Sequence, residues 1–165
     1  MKYTLIIIFI CFCNTLNCFS QSFLKYGFEV TPSKDMSMEM QTSDETGNLA
    51  YAFQGIERVE NYAILYKVTV IIFKDSPMDT DTYIKSLMKE YSNLGSKVTK
   101  TTYKNKPAVI AEENIVVEGI DLKQRLLMFL CNKSGKYIGY TLVLTSNAPN
   151  FESIFLDYKN SFKLL

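Results

Sequence analysis

Three β-type segments in direct succession, between Lys106 and Thr145, constrain the fold of this chain most strongly. They read KPAVIAEENIVV, LKQRLLMFLCN and KYIGYTLVLT, and short turns at Glu118–Asp121 and Asn132–Gly135 join them. Connections this short can join only antiparallel neighbours, because a parallel crossover needs a dozen or more residues. The sequence therefore predicts an antiparallel meander at the centre of the fold.

The middle segment of this meander is apolar without a break from Leu126 to Cys131. A strand with one face in solvent alternates apolar and polar residues, whereas an unbroken apolar strand is typical of a sheet that is covered on both faces. Helices must provide that cover, and the chain has two candidates.

Two segments have the apolar periodicity of amphipathic helices. The first begins at Asp79, a suitable N-cap residue, with Asp81 in its first turn and Gly95 at its end. We interpret both aspartates as helix-start residues rather than metal ligands. The second follows Pro149, which a first helical turn tolerates. The apolar positions recur at short helical intervals: Tyr83, Ile84, Leu87, Met88, Tyr91 and Leu94, then Phe151, Ile154, Phe155, Tyr158 and Phe162.

Further β-type segments precede the meander, at residues 23–31, 36–40, 49–56, 62–73 and 97–103. The order is strands, a helix, four strands and a second helix. This order predicts the α+β class, with an antiparallel β-sheet of about six or seven strands flanked by helices.

The N-terminal residues have the order of a secretory signal peptide. Lys2 precedes an apolar run, Leu5 to Cys13, and a polar stretch that ends near Ser20. The run is too short for a convincing membrane span. We therefore expect residues 1–20 to be removed, leaving a periplasmic or secreted domain at residues 21–165 with no integral membrane span.

Removal of this signal peptide changes the cysteine count. Cys11, Cys13 and Cys18 lie within it, so only Cys131 remains. An exported domain with one cysteine has no internal disulfide, and hydrophobic burial must stabilise it. A lipoprotein signal acylated at Cys18 is the alternative, although the residues before this cysteine match such a signal poorly.

The charge balance gives no support to a nucleic-acid partner. One of the 18 Lys and Arg residues, Lys2, lies in the signal peptide, and the others equal the 17 Asp and Glu residues in number. A neutral domain has no general electrostatic attraction for nucleic acid or an anionic membrane.

The chain contains no histidine, which excludes His-dependent triads and imidazole metal sites. As a nucleophile, Cys131 would lack a histidine base. Cysteine is among the residues most often buried, and this one ends an apolar run. We therefore interpret Cys131 as a core residue, with a redox or partner-pairing thiol as the alternative.

Met36, Met38 and Met40 would share one face if their segment is a strand. Thioether clusters of exported proteins can hold Cu(I), a soft ion that prefers sulfur. Side chains two residues apart on a strand lie roughly 6–7 Å from each other, so the three converge only if the segment bends. Methionine is also an ordinary gap-filling residue of protein cores, so we favour core packing, with Cu(I) binding as the alternative.

Four lysines and a tyrosine lie in or just after the polar strand before the meander: Lys97, Lys100, Tyr103, Lys104 and Lys106. They could form an anion-binding stripe. Lysines also protect an exposed sheet edge from pairing with other chains, and export together with neutral charge favours that interpretation.

Two adjacent carboxylates, Glu112 and Glu113, would face opposite sides of a strand and could not act as a pair. Glu112 or Asn114 is instead expected to meet Lys123 or Arg125 across the hairpin. No catalytic, cofactor-binding or metal residue and no cofactor is assigned from the sequence.

Several short sequence segments indicate a family resemblance. A strand pair precedes the acid-capped helix start at Asp79–Tyr83, a polar strand runs into the turn at Asn105–Ala108, and the chain closes on a helix ending at Ser161–Lys163. In these segments and in element order, residues 23–165 resemble the PsbP/Mog1 family, including its bacterial DcrB-like members. The sequence departs from the family at Lys106, where glycine is common.

The resemblance implies a PsbP/Mog1-like α+β fold. Members share this fold and not a partner: one is an extrinsic subunit of photosystem II, another binds a Ran-type GTPase, and many are exported proteins of unknown function. None is a well-established enzyme. Because their binding sites are not shared, the resemblance implies no site residues.

These observations favour a non-catalytic exported protein that binds an unidentified envelope or secreted protein. The alternative is a periplasmic carrier of a small ligand or soft metal, using the methionine segment or an aromatic cleft around Tyr51, Phe53 and Tyr66. A hydrolase relying on carboxylates alone would need two of them converging in a cleft.

Overall fold

The computed structural model describes residues 25–30, 36–59, 61–74 and 79–165. The predicted signal peptide, its cleavage site and its cysteines lie outside the described residues. In chain order the elements are β1 (Phe28–Glu29), β2 (Ser37–Ser43), β3 (Leu49–Val59), β4 (Tyr62–Ile72), α1 (Thr80–Asn93), β5 (Lys97–Tyr103), β6 (Lys106–Val117), β7 (Ile120–Lys133), β8 (Lys136–Ser146), α2 (Phe151–Ser161) and β9 (Lys163–Leu164).

Seven strands form one sheet in the order β2-β3-β4-β8-β7-β6-β5, and all its neighbours are antiparallel. The predicted α+β class is therefore confirmed. The predicted first strand differs, because β1 has only two residues and lies outside this sheet. It pairs with β9, a strand that the sequence analysis did not predict, through Phe28 opposite Leu164.

The meander is confirmed, with tighter turns than predicted. Its loops are the residue pairs Glu118–Gly119 and Ser134–Gly135, and Lys104–Asn105 closes the hairpin before it; all six residues have positive φ. Two-residue loops of this kind match the right-handed twist of the strands they join. Ile120 and Asp121, which were assigned to a turn, therefore belong to β7 and pair with β6.

The two helices cover opposite faces of the sheet, with β7 between them. Its alternate residues Leu127, Phe129 and Cys131 share a buried cluster with the apolar side of α2. The intervening residues Leu126, Met128 and Leu130 share a second cluster with α1. Helices therefore cover both faces of β7, as the unbroken apolar run from Leu126 to Cys131 predicts.

Both ends of α1 are fixed as the sequence predicts. The Asp79 carboxylate accepts hydrogen bonds from the Thr82 backbone nitrogen at 2.8 Å and from its hydroxyl at 3.0 Å. At the other end Gly95 has φ +87°, and the Ser96 nitrogen donates to the Tyr91 carbonyl at 3.0 Å. This is a Schellman-type end, in which glycine adopts the left-handed conformation.

Hydrogen bonds hold the last turn of α2 to the sheet. Tyr158 donates to the Lys67 carbonyl of β4 at 2.9 Å, and the Tyr103 hydroxyl of β5 donates to the Lys159 carbonyl at 2.7 Å. Phe162 follows the helix and stacks on Phe28 of β1, with ring centroids 5.3 Å apart. Among the described residues, no helix has the length and apolarity needed to span a membrane.

Candidate functional site

A groove of about 590 Å³ lies between α2 and the loop end of the β3–β4 hairpin, and it is open to solvent on one side. Its walls come from segments of chain about 90 residues apart. We call it the hairpin groove, and its lining consists of Glu57, Val59, Tyr62, Ile64, Tyr66, Asn150, Ile154, Asp157, Tyr158 and Ser161.

Strand register explains one wall of the hairpin groove. Glu57 pairs with Ile64 and Val59 with Tyr62, and paired residues of an antiparallel ladder point to the same face. Ile64 and Tyr66, two residues apart on β4, continue this face inward. The result is an apolar and aromatic surface that ends in a carboxylate.

The opposite wall is one side of α2. Ile154, Tyr158 and Ser161 recur at intervals of four and three residues and therefore lie on one helix face, with Asp157 beside them. Phe155 of the same helix is buried in the core. The helix thus presents a mixed face to the groove and a purely apolar face to the sheet.

Two tyrosines form the floor of the groove. The Tyr158 ring packs edge-on against the Tyr66 ring, with centroids 5.1 Å apart. The Tyr66 hydroxyl donates to Oε2 of Glu57 at 3.0 Å, and the Tyr158 hydroxyl donates to the Lys67 carbonyl. Both hydroxyl groups are bonded within the protein and both side chains are buried, so the floor is closely packed. The accessible apolar surface of the groove comes mainly from Val59, Tyr62 and Ile154.

The groove is electrostatically negative. Glu57 and Asp157 are exposed, and within the described ranges no lysine or arginine forms an ion pair with either. Burial raises the pKa of Tyr66 well above its usual range, and the hydrogen bond to Glu57 and the charges of Glu57 and Asp157 raise it further. Both carboxylates therefore act on the same hydroxyl at the groove floor.

This arrangement has the features of a binding surface. An apolar floor between two carboxylates can hold an elongated apolar group that carries a positive charge. In the part of the chain that the structure describes, no group of three or more His, Cys, Asp or Glu side chains could hold a metal ion.

A smaller depression of about 210 Å³ lies at the other end of α2, around Arg125. Arg125 pairs with Glu112 at 3.0 Å, which confirms the predicted cross-strand contact, and it donates to both carboxylate oxygens of Glu152. Glu113 faces the opposite side, where it accepts a hydrogen bond from Ser96 at 2.6 Å. The charges of Arg125, Glu112 and Glu152 are paired within the protein, and these contacts join α2 to the sheet.

The methionines do not share a face, so that prediction is wrong. A bulge shifts the register between Met38, which pairs with Phe53, and Met40, which pairs with Ala52. Neighbouring residues of β3 point to opposite faces, and the methionines opposite them do the same. Met36 lies before the strand and is buried in the core. A convergent thioether site is not formed.

Cys131 is buried in the main core, as predicted, and it is a free thiol. Burial raises the pKa of this thiol. Tyr103, the aromatic member of the lysine stripe, is buried in the same core. Neither residue is placed to meet a ligand from solvent.

The lysine stripe lies on and beside an outer strand of the seven-stranded sheet, β5. Lys97 pairs with Glu112 at 3.5 Å, and Lys100 lies 3.9 Å from Asp81. Lys104 donates to a backbone carbonyl just after α2. Three of the four lysines are thus engaged within the protein, which agrees with edge protection rather than an anion-binding stripe.

The predicted aromatic cleft is only partly correct. All three residues are buried in the main core, but only Tyr66 also lines the hairpin groove, so the three do not form one cleft. Tyr62, next to the hairpin loop, and Ile154 of α2 line the groove instead. The period-two pattern of β4 and the helical stripe were both visible in the sequence, but no local signal indicated that they meet.

The sequence matches no protein-family model and no curated protein. A solved structure described as the crystal structure of LpqN, involved in cell envelope biogenesis of Mycobacterium tuberculosis, is similar with a TM-score of 0.49 and 10% identity. The match covers 81% of this chain and 78% of LpqN. A likeness this distant carries no argument about family or function, so the PsbP/Mog1 resemblance stays a prediction.

Proposed function

We propose that residues 21–165 form a non-catalytic, exported domain of PsbP/Mog1-like fold that binds a protein partner at the cell envelope through the hairpin groove. The observation that carries this proposal is the groove itself: it is open to solvent, and exposed and half-buried apolar side chains line it between two carboxylates. Exposed apolar surface of this kind in a concave site is typical of binding surfaces.

The shape of the interior favours a protein partner over a small ligand. The space between the sheet and α2 is filled by side chains such as Phe129, Tyr140 and Phe162, whose rings pack against one another. A carrier encloses most of its ligand, whereas this groove is open on one side. Its volume still lies within the range of about 300–1,000 Å³ found for small-molecule pockets, so a ligand carrier is the alternative.

Two further observations support a non-catalytic role. The chain has no histidine, and its thiol at Cys131 is buried. A hydrolase using carboxylates alone would need an acid buried in apolar surroundings, whereas Glu57 and Asp157 of the groove are both exposed.

Site-specific photo-crosslinking in the cells of origin tests the proposal. A photoreactive residue replaces Val59, 39% exposed at the groove rim, or Val116, 68% exposed on the β6–β7 hairpin. We expect one discrete crosslinked protein from position 59 and not from position 116. Identical products from both positions, or none from position 59, would contradict the proposal.

The captured protein is then purified and its affinity measured directly. Ile154→Ser alters the groove, and Leu156→Ser is the matched control, because Leu156 is an exposed residue of the same helix that does not line the groove. We expect weaker binding for the first variant and unchanged binding for the second. Thermal unfolding of each variant verifies that it is folded.

A further inference from the structure

We propose that the segment recognised by the hairpin groove is an extended stretch of the partner protein in which an arginine or lysine is flanked by apolar residues, with its cation between Glu57 and Asp157. This inference rests on the proposed function and specifies the chemistry of the partner.

Charge is the first argument. Glu57 lies on the β3 wall and Asp157 on the α2 wall, and neither is paired with a lysine or arginine of the described segments. On the same helix, Glu152 is neutralised by Arg125. Asp157, at the groove end of α2, therefore keeps an unpaired negative charge, whereas Glu152 at the other end does not. A partner that supplies a cation would complement this charge.

The apolar surface between the two carboxylates is the second argument. Val59 is exposed, Tyr62 and Ile154 are half-buried, and the Tyr66 ring lies below them. The methylene stem of arginine or lysine covers such a surface while its cation reaches the rim, and aromatic rings attract the cation as well. An apolar neighbour in the partner would cover the remaining surface.

Two other classes of cation, divalent metal ions and polyamines, fit these features less well. Ca²⁺ and Mg²⁺ need about six or more oxygen ligands, which a floor of tyrosine rings and isoleucine does not provide. A free polyamine carries the required charge and a methylene chain, but it has no neighbouring apolar side chain to cover Val59 and Ile154. The open side of the groove allows a chain to enter and leave, which a peptide segment requires.

Selection of peptides from a phage-displayed library of random 12-residue sequences tests this chemistry. The purified protein is compared with its Glu57→Gln/Asp157→Asn variant, in which glutamine keeps an oxygen that can accept the Tyr66 hydrogen bond. Glu118→Gln/Asp121→Asn is the matched control, since it removes two exposed carboxylates from the β6–β7 hairpin.

We expect peptides selected by the wild type to be enriched in arginine or lysine next to apolar residues. A synthetic peptide from this set should bind the groove variant about ten-fold more weakly, as two exposed ion pairs are lost, and the control variant equally well. Replacing the basic residue of the peptide by glutamine should abolish the difference between wild type and groove variant.

Three outcomes would overturn the inference. The selected peptides could lack basic residues and still bind at the hairpin groove. That result would refute the charge requirement and leave the protein-binding function intact. Displacement of selected peptides by sub-millimolar spermidine would favour a carrier of small cations. Failure to select any peptide, together with no crosslink from position 59, would remove the proposed function as well.

Discussion

Replacing Arg125 by methionine tests how α2 is fixed to the sheet. Nη2 of Arg125 donates to Oε1 of Glu152 at 2.8 Å and lies 3.0 Å from Oε1 of Glu112. The guanidinium carbon lies 5.0 Å from the centroid of the Phe155 ring and 5.5 Å from that of Phe151. Methionine keeps part of the apolar stem and removes the charge.

The expected loss follows from the exposure of each contact. The Glu152 side chain is 71% exposed, so its pair contributes about 0.5 kcal/mol. The Glu112 side chain is 35% exposed and loses a charged hydrogen bond, which costs about 1.5 kcal/mol. Loss of the contacts with the two rings costs about 1 kcal/mol more. Removal of Nε, which is buried without a hydrogen-bond partner, offsets about 1 kcal/mol of the total loss. We expect the free energy of unfolding to fall by about 2 kcal/mol.

Urea unfolding at pH 7 measures this loss, and Lys123→Met is the matched control. Lys123 is two residues away on the same strand and loses the same charge without breaking an ion pair among the described residues. Its effect should stay within about 0.5 kcal/mol. Equal effects of the two substitutions would refute the assigned role of Arg125.

The pH dependence gives a second test of the same pair. The hydrogen bond from Arg125 lowers the pKa of Glu152 below its ordinary value of 4.5. A carboxylate with a lowered folded-state pKa stabilises the protein fully above the unfolded value and loses that contribution as the pH falls through the folded value. The difference between wild type and Arg125→Met should therefore shrink below pH 4.5, and a difference independent of pH would contradict the ion pair.

Three other substitutions or reactions test the packing. A Cβ at Gly139 would lie 2.9 Å from the Tyr83 hydroxyl, so Gly139→Ala should lower the free energy of unfolding by about 1–3 kcal/mol. The loss should be clearly smaller in a Tyr83→Phe background, and equal losses in calorimetry would contradict the contact. Cys131 should react with a thiol reagent such as DTNB only after unfolding, because burial raises the pKa of the thiol, and rapid reaction of the native protein would contradict its core position. Asp79→Ala should lower the melting temperature at pH 7. Because hydrogen bonds from Thr82 lower the pKa of Asp79, the difference in melting temperature from wild type should disappear below pH 3.8. An unchanged melting temperature at pH 7 would show that this N-cap does not stabilise α1.

The central part of the fold could be predicted because local sequence encodes it. The apolar run from Leu126 to Cys131 indicates two covered faces, and alternate residues of that run do pack against different helices. Asp79 and Gly95 mark the ends of α1 through backbone chemistry that acts within one turn. Such signals depend on neighbours a few residues away.

The methionine interpretation failed because a bulge has no clear signal in this sequence. Regular alternation would place Met38 and Met40 on one face, but an extra residue between them reverses the second side chain. The pairing of β1 with β9 was missed for a related reason. Two-residue strands have no measurable period, and their partners lie more than 130 residues apart.

The hairpin groove could not be predicted because it depends on distant parts of the chain. Glu57 and Tyr66 come from β3 and β4, whereas Asp157 and Tyr158 come from α2. Each pattern predicted its own element. Only the sheet order, in which β8 pairs with both β4 and β7, brings α2 beside the hairpin.

The attachment of α2 also bears on binding. Arg125 fixes its beginning through Glu152, and hydrogen bonds of Tyr158 and Tyr103 fix its last turn to β4 and β5. A wall fixed at both ends loses little conformational entropy when a partner binds, and that entropy is a main cost of association. Arg125→Met alters no groove residue, yet we expect it to weaken binding of a groove-selected peptide about two- to five-fold at pH 7, as measured by titration calorimetry. Unchanged affinity would mean that the groove keeps its shape without this anchor, and that the hydrogen bonds of Tyr158 and Tyr103 are enough to hold α2.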